Sequence, residues 1–170
     1  MLNEKLEKTI NYQINRELYS EYLYLAMASY LESEGYAGFA NFMRVQADEE
    51  HFHAMKFFRY VNERGGRVVL EAIEQPPVDF DSPQAVFEES LKHEQLVTRL
   101  INDLMDVAIE VKDHATKSFL NWYVDEQVEE EASFQDILDK MKMVGGKGHG
   151  LLMLNNELGE RTFTPPINNE

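Results

Sequence analysis

Two polar pairs sit three residues apart inside runs of apolar helical pattern: Glu50 with His53, and Gln127 with Glu130. A spacing of three puts both members on one side of a helix. Thirty-three residues before each pair stands a single glutamate, Glu17 before Glu50 and Glu94 before Gln127, and the first set maps onto the second with a common offset of 77. At one level of a helical bundle these six residues would gather four carboxylates, an imidazole and an amide. Four carboxylates cannot share a dry interior as anions: repulsion and desolvation raise their pKa values or draw in cations. Two divalent metals neutralise four glutamates, so the pattern reads as a dinuclear site with bridging carboxylates and one terminal imidazole. Hard oxygen donors with a histidine suit iron or manganese, with zinc as a competitor.

The elements that must position this set follow from the apolar spacing. From Glu4 to about Glu34 there is no Gly or Pro, and Leu6, Ile10, Ile14, Leu18, Leu25 and Ala28 recur at helical intervals behind an Asn3 cap. Gly35 ends that helix, and a second runs from about Gly38 to Arg64, stopping at Gly65-Gly66. So short a turn predicts an antiparallel hairpin. Arg67 to Asp81, with Val68, Val69, Ile73 and Pro76-Pro77, is not helical. At roughly 3.3 Å per residue it reaches about 50 Å, the length of a bundle.

Ser82-Pro83 then starts a pattern that continues to Val144 without Gly or Pro, too long for an ordinary globular helix. The offset locates the missing break: midway between Glu94 and Gln127, near Glu110 to Asp113, with Asp113 as the cap. Two hairpins joined by a long crossover make an all-α four-helix bundle. After the glycine-rich stretch Gly145 to Gly150 comes a short apolar helix, Leu151 to Leu158, then Gly159 and a polar tail with Pro165-Pro166. Residues 1–145 are thus expected to carry the bundle and its site, and 146–170 a hinge, a fifth helix and a tail of the same domain.

Composition narrows the partners. Lys and Arg total 16 against 31 Asp and Glu, a formal charge of -15, which argues against nucleic acid and anionic membrane surfaces and for cations. There is no cysteine, so disulfides, thiolate metal sites and cysteine nucleophiles are excluded. The first residues alternate charge with apolar side chains instead of forming a signal-peptide core, and no run approaches a membrane span. The expectation is a cytoplasmic protein.

With these residues in view, the chain resembles the non-haem bacterial and archaeal ferritins. The likeness covers nearly all 170 residues, including Glu-Leu-Tyr-Ser-Glu-Tyr-Leu-Tyr at 17–24, Gln46 to Ala54, Leu91-Lys92-His93-Glu94-Gln95, and Asn121-Trp122-Tyr123 leading to Glu130. It implies the ferritin-like fold and a ferroxidase that oxidises Fe(II) with dioxygen or hydrogen peroxide and stores the ferric product as a mineral. By position, Glu17, Glu50 and His53 would hold the first iron. Glu50 would bridge to a second iron bound by Glu94 and Glu130, with Gln127 as a polar neighbour. A third iron site is implied at Glu49, Glu126 and Glu129, with Glu130 shared; the alternative is that these three are solvated surface charge. Tyr24, two turns beyond Glu17 on the same face, is expected to approach the metals, and Trp122 is implied near them.

The likeness also implies self-association into a cage of 24 subunits in octahedral symmetry, and the apolar surface of the Leu151 to Leu158 helix is expected to be buried against symmetry mates around a fourfold axis, the alternative being that it folds back on its own bundle. Departures sharpen the expectation. His51 occupies the place of the haem-ligating Met of bacterioferritins, so no haem is expected, and Lys117 and Leu120 replace the acidic pore residues of animal ferritins. The second half carries Gln-x-x-Glu where diiron oxygenases have Glu-x-x-His. The rival reading is a diiron oxidase or peroxidase of the rubrerythrin type without bulk storage; it would want a second histidine ligand, a substrate pocket or a cysteine-bearing domain. His51, His93, His114 and His149 are read as surface or interface residues.

Overall fold

The computed structural model describes residues 2–165; the end of the polar tail, from the second proline of 165–166 onward, lies outside the described residues. Five helices follow one another: α1 (Glu4–Ser33), α2 (Ala37–Glu63), α3 (Pro83–Glu110), α4 (His114–Met143) and α5 (Gly148–Leu158). Among the described residues there is no strand, and no helix is long and apolar enough to cross a membrane.

Local chemistry bounds the four long helices close to where the pattern indicates. Asn3 caps α1 by accepting from the Lys5 amide, and Ser82 caps α3 by accepting from Ala85. Gly35 and Gly65, at φ of 83° and 72°, take the left-handed conformation that ends the first two helices. The break in the long second half falls at 111–113, as the offset predicts. It went unmarked because its left-handed residue is Lys112, at φ 59°, rather than a glycine. Asp113 accepts from the Thr116 amide, as a cap should.

α1 and α2 form one antiparallel hairpin, α3 and α4 the other. The crossover from Arg64 to Ser82 runs beside α1 in the same direction. Asn11 bridges the Arg67 carbonyl and the Val69 amide, Asn15 donates to the Ala72 carbonyl, and Arg16 pairs with Glu74 at 3.1 Å. Helix α3 therefore starts at the far end and runs antiparallel to α1. At the opposite end Arg64 makes a two-nitrogen contact with Asp113, and Tyr60 hydrogen-bonds Thr116, joining α2 to the start of α4. That pairing holds the Asp113 carboxyl down at about 2.

The apolar core is divided in two. One cluster holds Leu23, Met27, Leu31, Phe39, Met43, Phe87, Phe134 and Met141; the other holds Leu6, Ile10, Ile14, Phe57, Val61, Ile101, Leu104, Leu120 and Tyr123. Between them lies a layer of buried polar side chains. One expected core position, Leu25, faces outward at 44% exposure.

Helix α5 departs from expectation twice. It begins at Gly148, so part of the glycine-rich stretch is helical. Its apolar residues also split by face: Leu151, Leu154 and Leu158 pack into the first core cluster of their own bundle, leaving Leu152 and Met153 exposed. Positions 151, 154 and 158 form one helical stripe and dock together, while 152 and 153 point away. Of these five apolar side chains only the outer pair remains exposed.

The docking explains a glycine inside a helix. A Cβ on Gly38 would lie 1.7 Å from the Asn155 carbonyl oxygen, and the Asn155 side chain accepts from the Phe39 amide at 3.0 Å. Helix α2 has no side-chain cap of its own, so α5 supplies it. Gly38→Ala should therefore unseat α5 and cost about 1–3 kcal/mol, the usual price of a backbone overlap. Thermal melting checks this, and an unchanged midpoint would show that α5 docks loosely.

Candidate metal centre

The polar layer between the two clusters is where all four long helices contribute. Helix α1 brings Glu17, α2 brings Glu50 and His53, α3 brings Glu94, and α4 brings Gln127 and Glu130; all six are buried, none more than 5% exposed. The offset of 77 thus reports a real layer, with each hairpin placing its own set at mid-height.

Within the layer, ligand atoms of Glu17, Glu50 and His53 lie within 4.8 Å of one another, and so do those of His53, Glu126 and Glu130. His53 belongs to both groups. Its Nδ1 is 3.6 Å from Glu50 Oε2, and its Nε2 is 3.9 Å from Glu126 Oε1. Two oxygens at the centre, Glu17 Oε2 and Glu50 Oε2, are buried without a hydrogen-bond partner. A buried carboxylate oxygen without a donor costs free energy that a bound cation would remove.

The other oxygens are served by donors that the sequence pattern did not single out. Gln13, one turn before Glu17, donates to Glu17 Oε1 at 2.8 Å, and Gln46, one turn before Glu50, donates to Glu50 Oε1 and Glu130 Oε2 at 3.3 and 2.8 Å. The available signal was a buried amide four residues before a candidate ligand, a spacing that aligns both on one helical face. Tyr123, also one turn before Gln127, donates to the His53 carbonyl at 2.8 Å.

Glu94 differs from the other three carboxylates. Its oxygens are held by the Tyr24 hydroxyl and by Gln127 Nε2, the latter at 3.1 Å, and it joins neither three-residue group. Tyr24 therefore stands at the site as expected, fully buried, stacked against Phe134. Trp122 also stands beside the site, its ring 5.4 Å from that of His53, with the Lys56 ammonium 4.0 Å from the Trp122 ring centroid.

Three glutamates of the implied auxiliary site part company. Glu126 approaches His53 and Glu130. Glu49, half-buried, is paired with Arg161 at 2.5 Å. Glu129 is exposed and outside both groups, which is the position of a surface charge. Of the remaining histidines, His51 pairs with Glu21 on the surface at 3.0 Å. His93 corrects the surface reading: it is partly buried against the Tyr19 and Tyr24 rings, 2.7 Å from Ser20 Oγ, because α3 packs this face on α1. Burial pushes its pKa down to about 4.

Burial dominates the electrostatics of the carboxylates. Glu50 and Glu130 are pushed well up by desolvation, with the charge of Glu94 next in each case. Desolvation lifts Glu94 to about 7, against the opposing pull of its bonds from Tyr24 and Gln127. Glu126 and Glu49 are raised by burial as well, the latter against the attraction of Arg161. Without a cation, the layer holds protons that ordinary carboxylates would release.

Comparison with known proteins agrees with this architecture. The family model described as the ferritin-like domain matches residues 7–144. A bacterial non-heme ferritin of Staphylococcus aureus is 44% identical over 163 residues, covering 96% of this chain and 98% of that one; one from Staphylococcus saprophyticus is 43% identical over the same length. Among solved structures, an engineered closed form of the Archaeoglobus fulgidus ferritin superposes with a TM-score of 0.95 at 53% identity, covering 96% of this chain and all of that one. A novel open-pore ferritin from the same hyperthermophilic archaeon gives 0.94 at 52%, covering 95% of this chain and all of that one.

A pH test follows from Glu94. In the folded, metal-free chain it keeps its proton to about pH 7, whereas an ordinary carboxyl loses it near 4.5. Between those values the unfolded chain binds fewer protons, so this group's contribution to stability falls as pH rises. Glu94→Gln removes the titration. The melting temperature of the metal-free variant, relative to its parent, should rise between pH 5 and pH 8; a difference that stays flat would mean that Glu94 is already ionised in the fold.

Proposed function

The chain belongs to the ferritin-like domain family, and we propose on that premise that it is an iron-storing ferroxidase of the cytoplasm. Iron(II) is its substrate, and a ferric mineral within a protein shell is its product. The observation that carries this reading is the pair of donorless oxygens, Glu17 Oε2 and Glu50 Oε2, beside His53 in a dry layer. Such a set is suited to a hard divalent cation.

In this proposal Glu17, Glu50 and His53 bind one iron(II), and Glu50 bridges to a second shared with Glu94 and Glu130. Gln127 and Tyr24 hold Glu94 in orientation; a carboxylate oxygen has two lone pairs, so it can accept from them and still bind a cation. Glu49 and Glu126, with Glu130, form the auxiliary iron site, and the exposed Glu129 stands at its rim. Two iron(II) ions each lose one electron, and dioxygen takes both electrons with two protons to give hydrogen peroxide. Hydrogen peroxide as oxidant would take two electrons and two protons to give two waters. Protons released as the carboxylates exchange them for cations contribute to this balance.

Storage requires a shell, since the bundle interior is filled by its two clusters. The ferritin relatives, one described as open-pore and one as a closed form, support assembly around a cavity. We propose 24 subunits. The outward apolar residues Leu152 and Met153 of α5, and Tyr22 and Leu25 of α1 beside Ile73 and Val78 of the crossover, offer surface for subunit contacts.

Two measurements test the proposal separately. Stopped-flow absorbance should show fast oxidation of iron(II) in the parent and only background oxidation in Glu50→Ala, with helix content retained; an unchanged initial rate would remove the dinuclear assignment. Sedimentation velocity of the intact chain should show a species near 24 subunits. A folded species smaller than a dozen would refute the shell and bulk storage, leaving the oxidation chemistry standing.

A further inference from the structure

Just beyond α5 the chain stays against the bundle. Residues 159–163 return across the outer face of α2 beside the carboxylate layer. Asn41 holds them by donating to the Gly159 and Arg161 carbonyls at 3.1 and 3.0 Å, and the Phe163 ring packs 5.9 Å from that of Phe52. Between these two anchors Arg161 points inward. Its Nη2 donates to Glu49 Oε2 at 2.5 Å, its Nη1 donates to Gln46 Oε1 at 2.8 Å, and its guanidinium carbon stands 4.0 Å over the Phe42 ring.

Both contacts bear on the metal centre. Glu49 is one of the auxiliary ligands in the proposed function. Gln46 is the amide that donates to Glu50 and Glu130, and by holding its oxygen Arg161 fixes which end of the amide faces those carboxylates. We propose that residues 159–163 are a strap whose Arg161 acts as the resident counter-cation of Glu49, and that binding of a third iron(II) at Glu49, Glu126 and Glu130 displaces it. This inference rests on the ferroxidase reading and adds a regulated order to it: the first two ions enter with the strap docked, and the third releases it.

The physical reason is competition for one carboxylate. A guanidinium and a divalent cation on the same half-buried carboxylate repel each other at close range, and the ion carries the larger charge. The strap yields readily because, among the described residues, what ties it to α2 besides Arg161 is one asparagine and one aromatic contact, its own amides bonding back to the end of α5. Release also frees Gln46 from its fixed orientation, so Glu130 is handed to the third ion when that ion arrives. Arg161 is a positioning residue in this scheme and touches neither of the first two ions.

The test is anaerobic titration of the assembled, metal-free protein with iron(II) alone, followed by calorimetry and by hydrogen–deuterium exchange of a peptide spanning 159–165. In the parent, exchange there should stay slow through the first two equivalents and rise several-fold with the third. Arg161→Gln should exchange fast from the outset and bind the third equivalent about fivefold more tightly, as expected for removal of a partly exposed ion pair, with the first two retained and shifted by less. Phe163→Ala, which loosens the strap but keeps the arginine, should shift the third equivalent in the same direction by less. A third equivalent that ignores both substitutions, that weakens in Arg161→Gln, or that never appears in any of the three proteins overturns the strap while two tight equivalents uphold the ferroxidase reading. Absence of the first two equivalents overturns both.

Discussion

Four glutamates buried at mid-height in a helical bundle are the constraint around which this molecule is built. Desolvation alone lifts Glu50, Glu94 and Glu130 above the ordinary carboxylate range, and their mutual repulsion adds to it. The bundle meets that cost in part by supplying neutral donors: Gln13, Gln46, Gln127 and Tyr24 each give a hydrogen bond to a layer carboxylate. It leaves two oxygens, on Glu17 and Glu50, without any. The fold thus leaves the layer to hold protons, and a divalent ion would take their place.

A layer of this kind can persist only if the helices around it are held in register from both ends. One apolar cluster lies above it and one below, each rich in stacked aromatic rings such as Phe57 on Tyr123 and Tyr60 on Phe119, at 4.0 and 3.8 Å between centroids. At one end Arg64, Asp113, Thr116 and Tyr60 tie the end of α2 to the start of α4. At the other, Asn155 of α5 caps α2, and Gly38 lets the two backbones touch. These end contacts are remote from the carboxylates, yet a slip of one residue at either end would rotate a ligand about 100° off its face.

The two halves of the layer are chemically unequal even though their spacing is repeated. The first hairpin contributes the imidazole and both orphaned oxygens, whereas the second has the amide of Gln127 where the first has Glu50, Glu130 where it has His53, and in Glu94 a carboxylate already engaged by two donors. Around this inner set, Glu126, Glu49 and Glu129 stand at increasing distance from the inner ligands in function: one reaches His53, one is held by Arg161, one faces solvent. An inequality of this sort suits sequential filling by cations, with tight inner positions and adjustable outer ones.

Helical period, caps and the offset of 77 made the bundle, its four long helices and the six inner residues legible from the chain alone, because each depends on spacing within a helix or on symmetry between hairpins. Even the break at Lys112 could be located by that symmetry, although no glycine marks it. Contacts between distant segments were not legible, because no local pattern records them. Gly38 looks like an ordinary helix start until Asn155 is seen against it; Arg161 looks like a charge in a polar tail until it is found on Glu49 and Gln46; Leu25 and Leu152 share the apolar character of core neighbours yet face outward. Periodicity determines which side chains lie on one face of a helix. Which element that face meets is decided by packing across more than a hundred residues, and there the tertiary structure alone assigns Glu49 to a strap, Glu129 to solvent and α5 to its own bundle.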